Sequence, residues 1–261
     1  MKHFLSLHSV VPVRAEAREG AEQNTQMLFG ELCTVLEEQP RWKRIRLDAD
    51  GQEGWVDEKM ICPMQAKEYT PYHAAYKKAA MVAFPMTYAV SENNGQTIPL
   101  TAGTRLTNYK EGRFEVLGVG FRIDPSMVIT APIQMNEQNL LQTVRFFINT
   151  PYLWGGKNAM GMDCSGFTQV VMSLFGKDLP RNASEQMMHG REVKSLAKVR
   201  AGDLLFFDHK DGKISHVGIA IDNQRIIHCS GRVKVEGIDA EGILNAESRM
   251  HSHHFACARR L

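Results

Sequence analysis

The 261-residue chain predicts an α+β domain preceded by two small β-barrels. Two observations carry this prediction. First, the glycine-rich stretch Trp154-Gly155-Gly156 to Gly161 runs into Asp163-Cys164-Ser165-Gly166. It continues as an apolar stripe at Phe167, Val170, Val171 and Leu174. That i, i+3, i+4, i+7 spacing is a helix with a buried face, which Gly176 ends, and short strand-like segments follow from Leu204 onward. Second, segments too short to be helices alternate with turn residues over residues 1–66, and a related pattern recurs over residues 80–133.

In the first barrel the strand signals are Val10–Arg14, Met27-Leu28-Phe29 before Gly30, Thr34-Val35-Leu36, Trp42–Leu47 and Gly54-Trp55-Val56. In the second, Gly103 precedes Leu106, Phe114, Val116 and Ile123. Turn glycine and aromatic are 12 residues apart in one copy (Gly30 to Trp42) and 11 in the other (Gly103 to Phe114), a weak internal repeat. The expected domains are residues 1–66, a short linker at 67–78 that is not Gly/Ser-rich, residues 79–134, and the α+β domain at 135–261.

Cys164 stands where a loop becomes a helix. Unpaired N–H groups and the macrodipole there favour a thiolate, the reactive form of cysteine. A base follows 52 residues later, at His216. Leu204–Phe207, Val217–Ile221 and Arg225–His228 read as strands, with Asp222-Asn223-Gln224 as a turn. A three-residue loop centred on Asp222 sets His216 directly opposite His228, about 5 Å apart at Cβ, close enough for the second ring to orient the first. The residues therefore predict a Cys164, His216, His228 triad of a cysteine hydrolase or acyltransferase.

These segments carry a resemblance. Tyr152-Leu153-Trp154-Gly155-Gly156, Asp163-Cys164-Ser165-Gly166-Phe167, Leu179-Pro180-Arg181, Gly202–Phe207, Ser215-His216-Val217-Gly218-Ile219 and Ile227-His228 resemble the NlpC/P60 family of papain-like cysteine peptidases over most of residues 137–261. Val11–Ala17, Met27–Glu31 and Glu53–Val56 resemble a bacterial SH3 domain, and the second barrel looks like a divergent one. The architecture is similar to that of γ-D-glutamyl-L-diamino acid endopeptidases.

What the resemblance implies is a papain-like fold that hydrolyses murein stem peptides at the γ-D-glutamyl to diamino acid bond, with no metal or cofactor. It implies that Tyr152, Trp154, Asp163 and Ser165 line the substrate groove, with Tyr152 also serving the oxyanion hole. Ser165 or Arg181 would take the free α-carboxylate of D-glutamate. It further implies that the first barrel docks on the groove and restricts substrates to those with a free N-terminal L-alanine. Two positions depart from the family pattern. Asn182 follows Leu-Pro-Arg where many relatives have aspartate, and Gln52 stands where many have tyrosine, leaving Glu53 as the carboxylate available to an ammonium group. The alternatives are a secreted lysin acting on intact peptidoglycan and a wall-binding protein with little catalysis.

Composition fits a globular protein, at 43% hydrophobic and 23% charged residues. A net charge of +2 gives no reason to invoke nucleic acid, and Arg41–Arg46 reads as a solvated strand face. Cys33, Cys62, Cys164, Cys229 and Cys257 are odd in number and lack zinc spacing, so neither a disulfide framework nor a metal centre is expected. Alternation turns Cys229 away from His228, as a packing residue. His251, His253 and His254 lack a standard metal partner. Lys2, the apolar residues after it and Ala15-Glu16-Ala17 have the outline of an export signal, but His3, Ser6, His8 and Ser9 interrupt the run. No window reaches the roughly 18 to 20 apolar residues of a membrane span. The expectation is a cytoplasmic protein, exported only if its N-terminus was trimmed, with the oligomeric state left open.

Overall fold

The computed structural model describes residues 2–209, 212–246 and 248–261. The chain divides into two compact units, Met1–Pro132 and Ile133–Leu261.

In the first unit, β1 (Lys2–Leu5), β2 (Val10–Arg14), β3 (Gln23–Leu28), β4 (Leu32–Gln39), β5 (Trp42–Leu47), β6 (Glu53–Asp57) and β7 (Cys62–Pro63) form one antiparallel sheet in the order β3-β2-β6-β5-β4-β1-β7. Alternation along β2 and β6 buries Val11, Val13 and Val56 against Met27 and Ile45. The predicted linker is a helix, α1 (Ala66–Lys77), which Pro71 hides from a reading of helical period. A reciprocal cap between Gln65 and Glu68 starts it. It is no tether: Tyr69, Tyr72 and Tyr76 pack into a core that also contains Leu5 and Phe29 from the first half and Val82, Phe114 and Phe121 from the second. The second half comprises β8 (Ala80–Val82), β9 (Met86–Ser91), β10 (Thr97–Thr101), β11 (Arg105–Leu106), β12 (Arg113–Val116), β13 (Val119–Ile123) and β14 (Val128–Ile129). They form sheets ordered β10-β9-β13-β12 and β11-β8-β14.

The second unit begins with α2 (Glu137–Val144), the short pair β15 (Lys157–Asn158) and β16 (Gly161–Met162), α3 (Cys164–Leu174) and α4 (Ala183–Gln186). A sheet follows: β17 (Arg191–Glu192), β18 (Leu204–Asp208), β19 (His216–Ala220), β20 (Arg225–Ser230), β21 (Arg232–Ile238), β22 (Gly242–Leu244) and β23 (His251–Arg260). Its order is β17-β23-β18-β19-β20-β21-β22, and β22 also pairs with β23, so six of the strands close into a ring. Apolar side chains of one face, among them Leu205, Phe207, Ala220, Ile226 and Ile243, form a core. Against β19 and β20 packs α3, which is buried nearly all round and not along one stripe.

The hairpin register differs from the expected one. Gly218 lies opposite His228, Ile219 opposite Ile227 and Ala220 opposite Ile226, which centres the loop on Asn223. The Asp222 carboxylate causes the shift. Its Oδ1 accepts from the N–H groups of both Gln224 and Arg225 at 2.8 Å, so Asp222 opens the turn instead of sitting at its apex. A shift of two residues keeps every side chain on its face. His216 and His228 are thus diagonal neighbours on the same face.

Candidate active site

The loop before α3 is tied down by one carboxylate. Asp163 is the N-cap of the helix, its Oδ1 accepting from Gly166 N–H at 2.7 Å and its Oδ2 from Gly155 N–H at 2.8 Å. At Gly166 a Cβ would run into the carbonyl oxygen of Gly156, so glycine is what lets loop and helix meet. Arg181, 1% exposed, donates to both oxygens of Asp163, at 2.5 and 3.0 Å, and to Ser165 Oγ at 2.8 Å. This corrects the expected roles of three residues. Asp163, Ser165 and Arg181 are turned inward on one another, and neither the guanidinium nor the serine hydroxyl is presented to a ligand.

A cavity of about 230 Å³ has Tyr152, Cys164, His209, Ser215, His216 and His253 among its walls. The nucleophile and the base expected from the sequence therefore share one space. Burial and the Asp163 charge push the Cys164 thiol up to about 11, against the pull of the Val217 and Ser165 backbone N–H groups. The expectation of a resting thiolate is overturned, because here desolvation outweighs the helix terminus. His216 is held well below its ordinary value, first by burial and then by the neighbouring His228 and His253. At neutral pH the pair rests as thiol and neutral imidazole, and its chemistry is proton transfer during attack.

His228 stands behind His216, with His216 Nε2 and His228 Nδ1 2.8 Å apart. The diagonal register allows this contact because Gly218 occupies the place directly opposite. A Cβ on Gly218 would lie 2.6 Å from Ile226 Cδ1 and 2.8 Å from His228 Cβ. Sequence reading missed two partners. His253 stacks on His216 with centroids 4.2 Å apart, and Glu236 Oε2 lies 2.9 Å from His228 Nε2. Of the other histidines in that cluster, His251 pairs with Asp239 at 2.9 Å and His254 with Asp208 at 2.7 Å. No group of three metal-ligating side chains occurs among the described residues.

Trp154 is 58% exposed and is not among the cavity walls. Asn182 caps α4, exchanging hydrogen bonds with Glu185. Gln52 and Glu53 belong to the first unit, where Glu53 pairs with Arg44 at 2.8 Å. Cys229 faces away from His228, as alternation requires, and its thiol donates to Met162 C=O at 3.1 Å. Cys229 is also among the cavity walls.

Residues 149–260 match the NlpC/P60 family, and residues 13–61 match the bacterial dipeptidyl-peptidase Sh3 domain. The chain is 32% identical over 218 residues to a gamma-D-glutamyl-L-lysine dipeptidyl-peptidase of Bacillus subtilis (strain 168), covering 78% of this chain and 71% of that protein. A protein of the same name from Bacillus cereus (strain ATCC 10987 / NRS 248) is 26% identical over 231 residues, covering 78% and 66%. In fold, the chain is similar to the crystal structure of an NlpC/P60 family protein from Bacillus cereus ATCC 10987, with a TM-score of 0.79 at 21% identity and 99% of both chains covered. A buried thiol at a helix head, an imidazole in the same cavity with a second ring behind it, and this degree of likeness together mean that the chain belongs to the NlpC/P60 family of cysteine peptidases, with a bacterial SH3 domain in its first unit.

Proposed function

We propose that this protein is a cysteine endopeptidase that hydrolyses the amide bond between the γ-carboxyl of D-glutamate and the L-diamino acid of murein stem peptides, in cell-wall recycling. The observation that carries the reading is the sharing of one cavity by Cys164 and His216, with His228 at 2.8 Å behind. The substrate class is supported by relatives named gamma-D-glutamyl-L-lysine dipeptidyl-peptidase.

In the proposed mechanism Cys164 is the nucleophile. Its proton passes to His216 as sulfur bonds to the γ-carbonyl carbon. The Cys164 backbone N–H and the Tyr152 hydroxyl hold the oxyanion. His216 then protonates the departing α-amine, the C–N bond breaks and a thioester remains. Water, deprotonated by His216, attacks the thioester and releases the γ-carboxylate, returning the proton to sulfur. His228 orients His216 throughout. With Arg181 engaged by Asp163, the free α-carboxylate of D-glutamate falls to polar groups of the cavity wall such as Ser215. We also infer that residues 79–134 are a second, divergent SH3-like barrel, and that the protein acts in the cytoplasm on released peptides.

The test is incubation with L-Ala-γ-D-Glu-diaminopimelate, with and without an N-acetyl cap, followed by mass spectrometry. Release of L-Ala-γ-D-Glu and free diaminopimelate is expected from the wild type and not from Cys164→Ala. Slower cleavage of the capped peptide is expected if a free L-alanine is read. Intact peptide after prolonged incubation, or full activity in the folded Cys164→Ala variant, would sink the reading.

A further inference from the structure

The chain of polar contacts behind Cys164 continues past His228. A tight turn at Gly231 joins β20 to β21 and places His228 opposite Lys234 and Ile226 opposite Glu236. Glu236 is therefore one diagonal step from His228 on the same face, and it is 5% exposed. Its two oxygens have separate duties. Oε1 accepts from Lys234 Nζ at 3.1 Å, Asn245 Nδ2 at 3.1 Å and Ala246 N–H at 3.3 Å. Oε2 faces His228 Nε2 at 2.9 Å. Burial alone would raise this carboxyl, but the hydrogen bonds from His228 and Lys234 outweigh it and hold the group at about 2. At neutral pH Glu236 is thus an anion that can only accept.

An acceptor at that place decides the protonation pattern of two rings in turn. Burial keeps His228 neutral, so it carries one proton, and the carboxylate requires that proton on Nε2. His228 Nδ1 is then a lone pair, and the 2.8 Å contact to His216 forms only if His216 Nε2 is the donor. His216 is left with an unprotonated Nδ1. That nitrogen is the one able to take the thiol proton. We propose that Glu236 is a positioning residue that sets the tautomers of His228 and His216 so that His216 Nδ1 serves as the base for Cys164. This deepens the cysteine-peptidase reading and rests on it.

Glu236→Gln removes the rule without changing the shape. A glutamine can donate an N–H to His228 Nε2, which moves the ring proton to Nδ1, makes His216 Nε2 the acceptor and puts the remaining proton on His216 Nδ1, where no base is left. Expected for E236Q is a loss of kcat of about 100-fold with KM within about twofold, the pattern of a wrong tautomer. The acid limb of kcat/KM should also move to lower pH, because a carboxylate no longer favours the imidazolium. His209, His253 and Lys234, which also act on these rings, stay in place. Glu236→Asp should recover part of the activity. Histidine ¹⁵N chemical shifts read the tautomers directly, with no substrate: His216 protonated at Nε2 in the wild type and at Nδ1 in E236Q. Wild-type His216 protonated at Nδ1, or E236Q with unchanged shifts, kcat and pH profile beside an inactive Cys164→Ala, would overturn the assignment while leaving the peptidase reading intact. A wild type inert toward γ-D-glutamyl peptides yet showing the expected shifts would overturn only the substrate reading.

Discussion

The cluster of Asp163, Ser165 and Arg181 and the chain of His216, His228 and Glu236 are both buried, both polar and both closed by contacts of 2.5 to 3.0 Å. They differ in what is free to move. In the first, a guanidinium that never gives up its proton grips a carboxylate from two sides, and the carboxylate grips two backbone N–H groups. In the second, neutral rings stand between a thiol and a carboxylate, each able to hold its proton on either nitrogen. The comparison teaches that a buried charge can hold the backbone still or direct a proton, according to whether its partner titrates in the working range.

Four substitutions or conditions sharpen that contrast. The largest effect is expected from His216→Ala, which should lower kcat/KM by about 10⁴-fold, with a urea midpoint close to that of the wild type. Next, Arg181→Met leaves Asp163 buried and unpaired and should cost about 3 to 5 kcal/mol in urea unfolding. The molecules that still fold should lose less than about tenfold in kcat, and a stable but inactive Arg181→Met protein would erase the distinction between the clusters. Gly218→Ala pushes a methyl into Ile226 and His228, so about 1 to 3 kcal/mol of stability should go. A fall in kcat of about tenfold should accompany it as the two rings separate.

The last test concerns pH and leaves the sequence unchanged. Both His216 and His228 are held below the ordinary histidine value by burial. Below about pH 6.5 the unfolded chain therefore binds protons that the native rings refuse, and stability falls as pH falls, by up to about 1.4 kcal/mol per pH unit for each ring. Urea midpoints measured between pH 7.5 and 5 test this, and a flat profile would mean that the native rings take up protons as readily as those of the unfolded chain.

What could be read from the chain was whatever one segment decides by itself. The helix from Cys164 was legible because its cap, its apolar spacing and its terminating glycine are all local. Both histidine strands were legible from alternation, but their register missed by two residues, since a side-chain bond from Asp222 chose the turn. Glu236 stayed hidden because it meets His228 only through a second hairpin. The Ser230-Gly231-Arg232 corner was the available signal, and continuing the pairing past it reaches Glu236. The helix at 66–77 escaped because Pro71 sits inside it, and its three tyrosines gain their meaning from a core built by distant strands. Arg181 was assigned to the ligand because a lone arginine after a proline does not reveal that Asp163 has already claimed it.

The closing of the sheet through β23 has a consequence for how a peptide can be held. The strands that carry His216 and His228 have neighbours on both sides, so neither offers bare main chain for a guest to lie along as an extra strand. Whatever enters the cleft must be gripped at its functional groups, by hydroxyls, rings and loop amides. A branch point such as a γ-linked D-residue, which would spoil strand pairing, is no handicap in such a grip.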